Sequence, residues 1–157
     1  NNTENDKIKK HESLAVKTED YVSIGDLYSD DGDFKTATIY YQKAVDNGVL
    51  AYTVLGDTWG YRSQYKKAFD IYTEGANKGE AECFARLGFC YETGYVKIDI
   101  QKAIECYSKA SDLGLAPAAR SLGVVVLYAV QKIFQTFFVV VRNKPVIEID
   151  VDRKSVV

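Results

Sequence analysis

The chain has 157 residues, 46% of them hydrophobic and 27% charged, with a net charge of −2. That length is enough for one continuous core, and the composition excludes wholesale disorder. The near-neutral balance gives no general attraction to nucleic acid or to an anionic membrane.

Residues 1–17 are polar and charged, with Ile8, Leu14 and Val16 as sparse apolar anchors, and they read as a polar leader. The absence of Met and the opening Asn1-Asn2-Thr3 suggest a processed or trimmed chain, so the compartment is not readable from this end. Apolar periodicity then predicts helices near 18–30, 34–47, 50–61, 65–78, 80–93, 99–113 and from 116 onward, with Pro117 suited to a first helical turn.

These helices repeat. Ile24-Gly25-Asp26-Leu27-Tyr28 returns as Leu55-Gly56-Asp57-Thr58-Trp59 and as Leu87-Gly88-Phe89-Cys90-Tyr91, and a partial copy begins Leu122-Gly123. The four glycines are 31, 32 and 35 residues apart. A second block follows each of the first three: Ala37 with Tyr41, Ala68 with Tyr72, Ala103 with Tyr107, closing on Gly48, Gly79 and Gly114. Self-similarity at this period is the signature of a solenoid. Glycine inside a helix costs about 1 kcal/mol against alanine. Its recurrence predicts a close helix crossing at Gly25, Gly56 and Gly88, with Ala37, Ala68 and Ala103 as the small counterparts. Gly48, Gly79 and Gly114 read as C-terminal caps. Gly94, in Glu92-Thr93-Gly94-Tyr95-Val96, falls in the turn of the third repeat and not in a phosphate loop, which would need a preceding strand.

The spacing resembles the tetratricopeptide superfamily. The third copy resembles a Sel-one-like repeat: Ala85, Leu87, Gly88, Tyr91, Gly94, Val96, Asp99, Lys102 and Ala103, then Tyr107, Lys109, Ala110 and Gly114. Tyr95 stands where that family has glycine, and the first two repeats lack the longer turn. The resemblance covers roughly residues 18–125. It implies an all-α, right-handed α-α superhelix of about three helical pairs, followed by an atypical C-terminal cap over 126–157. It further implies that first helices line a concave groove. By position relative to the motif glycine, the groove-facing residues are Val22, Asp26, Ser29, Asp30, Thr53, Asp57, Tyr61, Phe89, Glu92 and Arg120.

The last segment departs from the pattern. Val124 to Val141 is strongly apolar, but Gln131, Lys132 and Gln135 stand in its middle, where a membrane span would pay for charge. Three readings remain open: a long helix capping the third repeat, a membrane span, and a hairpin built from 137–141, a turn at 142–145 and 146–151. The tail from Pro145 to Val157 could lie along its own groove or a neighbour's, which would allow self-association.

Cys83, Cys90 and Cys106 lie in apolar patterns and read as buried free thiols. They favour a reducing compartment. With one histidine, His11, in the leader, neither a metal site nor a Cys-His nucleophile is indicated, and no cofactor motif or catalytic constellation is present. The acidic stretch Glu19, Asp20, Asp26, Asp30, Asp31 and Asp33 suggests a cradle for a basic peptide segment. The function expected is a non-enzymatic scaffold or adaptor for a protein or peptide partner. The alternatives are a membrane-anchored assembly factor and a hydrolase using groove carboxylates.

Overall fold

The computed structural model describes residues 20–143 and the isolated position 6. Seven helices occupy the described residues: α1 Asp20–Asp30, α2 Phe34–Asp46, α3 Tyr52–Tyr61, α4 Tyr65–Asn77, α5 Ala81–Thr93, α6 Ile100–Asp112 and α7 Ala116–Arg142. Each packs on the next along the chain, and the short connections make sequential neighbours antiparallel. The result is an all-α helical-repeat superhelix of three helical pairs, with α7 as the start of an unfinished fourth. The leader 1–17, apart from the exposed Asp6, and the tail from residue 144 onward lie outside the described residues.

Local chemistry sets the ends. The Asp33 carboxylate caps α2, accepting from the Thr36 N–H at 3.1 Å and from its hydroxyl at 2.6 Å. Asp99 caps α6 in the same way through the Lys102 N–H at 3.1 Å. The glycines that close each pair, Gly48, Gly79 and Gly114, all sit at positive φ (84–89°), the left-handed cap that side chains resist. Gly94 ends α5 at φ 82°. The third turn is therefore a helix terminus followed by a short connection, as its longer spacing predicts.

Between helices the core is a file of small and aromatic residues. Ala37, Ala68 and Ala103 are fully buried, and Tyr41, Tyr72 and Tyr107 nearly so. The motif glycines lie at the expected close crossing of each helix pair. A Cβ on Gly25 would lie 2.7 Å from Tyr41 Cδ1, and one on Gly88 would lie 2.8 Å from Tyr107 Cε1. What occupies the space of the missing side chain is a tyrosine ring from the second helix. Gly75 is a further such site, facing the Tyr52 side chain across the α3–α4 pair. Gly123, the fourth motif glycine, has nothing within 4 Å of its would-be Cβ.

That vacancy follows from α7. Its start packs on the third pair, with Ala118 and Val125 buried and Leu122 against the Tyr107 cluster. No turn interrupts it after Gly123, so among the described residues no second helix folds back to deliver a ring. The helix runs on to Arg142, and Phe137–Val141 is helical rather than the first strand of a hairpin. The remaining turn and strand of that reading fall largely beyond the described residues. Only the first part of α7 acts as a cap. Beyond Val125, Leu127, Ile133, Phe134 and Phe137 are all more than 60% exposed. By length and composition α7 could cross a membrane, with a mean hydropathy of 1.9 over its most apolar window.

Candidate functional site

The seated tyrosines place a second feature in a row. Tyr41 donates its hydroxyl to Asp26 Oδ1 at 2.7 Å, Tyr72 to Asp57 Oδ1 at 2.6 Å and Tyr107 to Glu92 Oε2 at 2.8 Å. Burial, reinforced by the carboxylate each one meets, pushes all three phenols well above their ordinary value of 10, so they remain donors. In the third repeat Phe89 occupies the place of Asp26 and Asp57. The carboxylate is supplied instead by Glu92, about one helical turn further on and on the same face. Each first helix thus has one acidic side chain fixed by a tyrosine beneath it.

Asp57 has a second partner. Arg86, from α5, donates to its Oδ2 at 2.8 Å and ties the second repeat to the third. Beside this pair lies a cleft of about 510 Å³ lined by Tyr61, Tyr65, Phe89 and Tyr95, with Tyr72, Gly60 of α3 and the turn residue Ser63. Tyr95 packs on Tyr65 at 4.3 Å between centroids and edge-on to Phe89 at 5.5 Å. Tyr61, two-thirds exposed, stacks on Phe34 at 4.8 Å. The residue that departs from the repeat pattern, Tyr95, is therefore the one that gives the cleft its aromatic wall.

The predicted groove residues divide into groups. Asp57, Tyr61 and Phe89 meet in this first cleft. Glu92 and Arg120 line a second, of about 340 Å³, with Pro117, Ser121 and Val124. Asp26 and Asp30 are exposed on α1, Ser29 is half-buried there, and Val22 packs against the core of the first pair. Thr53 is not available to a partner. It is buried, and its hydroxyl donates to Glu80 Oε1 at 2.5 Å. The same carboxylate accepts the Thr53 N–H at 3.0 Å, and Glu80 Oε2 takes the Tyr52 N–H at 3.1 Å. The N-terminus of α3 has no capping side chain of its own. Glu80, a repeat away, supplies the cap. The acidic stretch at the N-terminal end is likewise partly structural, since Asp33 is a helix cap; Glu19 lies outside the described residues.

Sequence reasoning passed over Glu80, Arg86, Tyr65 and Tyr95. Tyr95 carried a signal, its departure from the family glycine; the others pair across a repeat and leave no local trace.

A carboxylate acid–base pair needs two carboxyl groups flanking one substrate, and each of these two clefts holds a single one. Cys83 and Cys90 are buried free thiols and Cys106 is half-buried. Burial pushes the Cys83 and Cys90 thiols up to about 12, which makes them poor nucleophiles. Among the described residues no cluster of His, Cys, Asp or Glu could hold a metal ion.

The Sel1 repeat family model matches residues 25–49 and 82–115, which are parts of the first and third repeats. No curated protein matches the chain. Among solved structures, the chain is similar to a Sel1 repeat protein from Oxalobacter formigenes, with 22% identity and a TM-score of 0.65 over 73% of this chain and 51% of that one. It is similar to c5321, a protective antigen of uropathogenic Escherichia coli displaying an SLR fold, with 27% identity and a TM-score of 0.62 over 71% of this chain and 26% of that one. It is also similar to MamA from Desulfovibrio magneticus RS-1, with 21% identity and a TM-score of 0.56, covering 80% and 75%. The chain spans about half the length of the first of these and about a quarter of the second.

Proposed function

We propose that this chain, a member of the Sel1-like repeat family, is a non-enzymatic scaffold that holds a peptide segment of a protein partner across its first helices. Proteins built from Sel1 repeats are generally protein-interaction scaffolds. The observation that carries the reading here is the aromatic cleft between the second and third repeats. Tyr61, Tyr65 and Phe89 stay exposed there although each is large enough to be worth burying. Rigid aromatic walls around an opening of this size fit one apolar anchor side chain, the usual centre of a binding hot spot.

Charge sets the orientation of the segment. Asp57 already spends both oxygens, on Tyr72 and on Arg86. Asp26 spends one on Tyr41, and Asp30 beside it is exposed. A partner with basic residues over α1, followed by an apolar residue in the cleft, fits this order.

The test is selection of displayed random peptides on the wild-type chain, followed by binding of the enriched peptides to two variants. Phe89→Asp should abolish capture, and Asp26→Asn should weaken it and flatten its salt dependence. Peptides that bind both variants as well as wild type would place the working surface elsewhere.

A further inference from the structure

Beyond Val125 the last helix leaves the solenoid, and the pattern along it is ordered. Val126, Leu127, Val130, Ile133, Phe134, Phe137, Val140 and Val141 fall on one side at intervals of three and four residues. All eight are exposed. The opposite side carries Tyr128, Gln131, Lys132, Gln135 and Thr136, with the exposed Phe138 and Val139 following them toward the C-terminal end. The polar residues are internally connected: Thr136 donates to the Lys132 carbonyl at 2.9 Å, and the Lys132 ammonium lies 5.5 Å from the Tyr128 ring centre.

The apolar set is also symmetric about a point between Ile133 and Phe134. Reversing the helix about that point exchanges Val126 with Val141, Leu127 with Val140, Val130 with Phe137, and Ile133 with Phe134. Gln131 exchanges with Thr136 and Lys132 with Gln135, so the polar centre of the opposite side also maps onto itself. A face with this property is complementary to its own copy under a two-fold axis.

We propose that Val126–Val141 is a homodimerisation helix, pairing antiparallel with the same segment of a second copy about the Ile133–Phe134 midpoint. Eight side chains of this size offer on the order of 800 Å² per copy, the size of one side of a standard stable interface. No acidic residue lies on α7, and Lys132 stands off the apolar side, so the pairing buries no charge. The register also avoids a collision. The seam begins at the first residue clear of the solenoid and ends beside the last turn of the partner helix, which puts the two solenoids at opposite ends. A lipid bilayer is the competing cover for this face. A span takes about 17–25 apolar residues; Val126–Arg142 offers 17, the short end of that range, and would set Gln131, Lys132 and Gln135 at mid-depth, where charge is costly. An unbroken apolar row on one side and a polar centre, Gln131 to Thr136, on the other suit a helix pair in water.

Sedimentation equilibrium of the full chain in detergent-free buffer should return twice the chain mass. Ile133→Glu combined with Phe137→Glu should raise the dimer dissociation constant on the order of 100-fold or more with the far-UV dichroism unchanged. Orientation is read separately in a Cys106→Ser background. Val126→Cys should not cross-link to itself but should form a disulfide with Val141→Cys when the two are mixed. Ile133→Cys should cross-link to itself. A chain that stays monomeric at every concentration would overturn the proposal, as would self-linking of Val126→Cys. So would a monomer that floats with phosphatidylcholine vesicles, which would assign the face to lipid.

Discussion

Replacing Gly56 by alanine tests the reason for the motif glycine. The added Cβ would stand 2.7 Å from Tyr72 Cδ1 and 2.9 Å from Cζ, against a comfortable carbon contact of about 3.5–4.0 Å. The ring must therefore retreat by about 1 Å. Tyr72 is buried, and its hydroxyl is committed to Asp57 at 2.6 Å. Overpacking of this kind costs about 1–3 kcal/mol, and disturbing a hydrogen bond to a charged group costs about 1.5–3 kcal/mol. Better helix propensity returns about 1 kcal/mol. The expected net loss is about 1.5–5 kcal/mol, read as a lower urea midpoint by far-UV circular dichroism. Gly123→Ala is the control. It stands at the same motif position with nothing nearby, so only the propensity term remains, and it should stabilise by about 0.5–1 kcal/mol. Adding Tyr72→Leu to Gly56→Ala should recover part of the loss. If Gly56→Ala unfolds at or above the wild-type midpoint, or if both alanines shift it the same way, the seated ring is not why these glycines are there.

Glu80→Ala should destabilise by about 1–3 kcal/mol, because it strips a charged cap from two backbone donors and leaves the buried Thr53 hydroxyl in need of a new partner; urea unfolding checks this, and a loss no larger than that of an exposed surface variant would refute it. Alkaline pH should unfold the chain. The folded values of Tyr41, Tyr72 and Tyr107 lie above 10, and those of Cys83 and Cys90 reach about 12 from 9.0. Their contribution is therefore complete below pH 9 and is lost as the pH rises from there through the folded values. Thermal melts between pH 8 and pH 11 should show a steady fall, and a flat profile would contradict the assignment. Thiol labelling of the folded chain should be slow at Cys83 and Cys90 and faster at the half-buried Cys106, as read by mass spectrometry; equal rates would show that the core opens as one.

Much of the fold was legible because its causes are local and repeated. Periodicity, caps and turn glycines place α2, α4, α5 and α6 within a residue of their observed ends. The same reasoning failed where a contact spans a repeat. Thr53 was assigned to the groove by its place in the motif, but Glu80 reaches back and takes it. Arg86 reads as one more charged residue of an amphipathic helix until stacking sets it against Asp57. Phe137–Val141 has the residue types of a strand, yet it prolongs a helix already begun at Ala116, where each added residue costs less than a new start.

The two polar ties between the second and third repeats, Glu80 to the start of α3 and Arg86 to Asp57, have no charged counterpart between the first and second among the described residues. There the hydrogen bond across the junction is the one from Thr38 to Thr58, at 3.2 Å. In a chain that unfolds piecewise, such unequal junctions set the order of opening. Amide exchange should find α1 and α2 opening at lower free energy than α3 through α6. A bound segment would then meet two halves of different persistence: a firm aromatic cleft that is always formed, and an acidic entrance on α1 that comes and goes. Its apolar anchor would set how long it stays, and its basic end would be first to release.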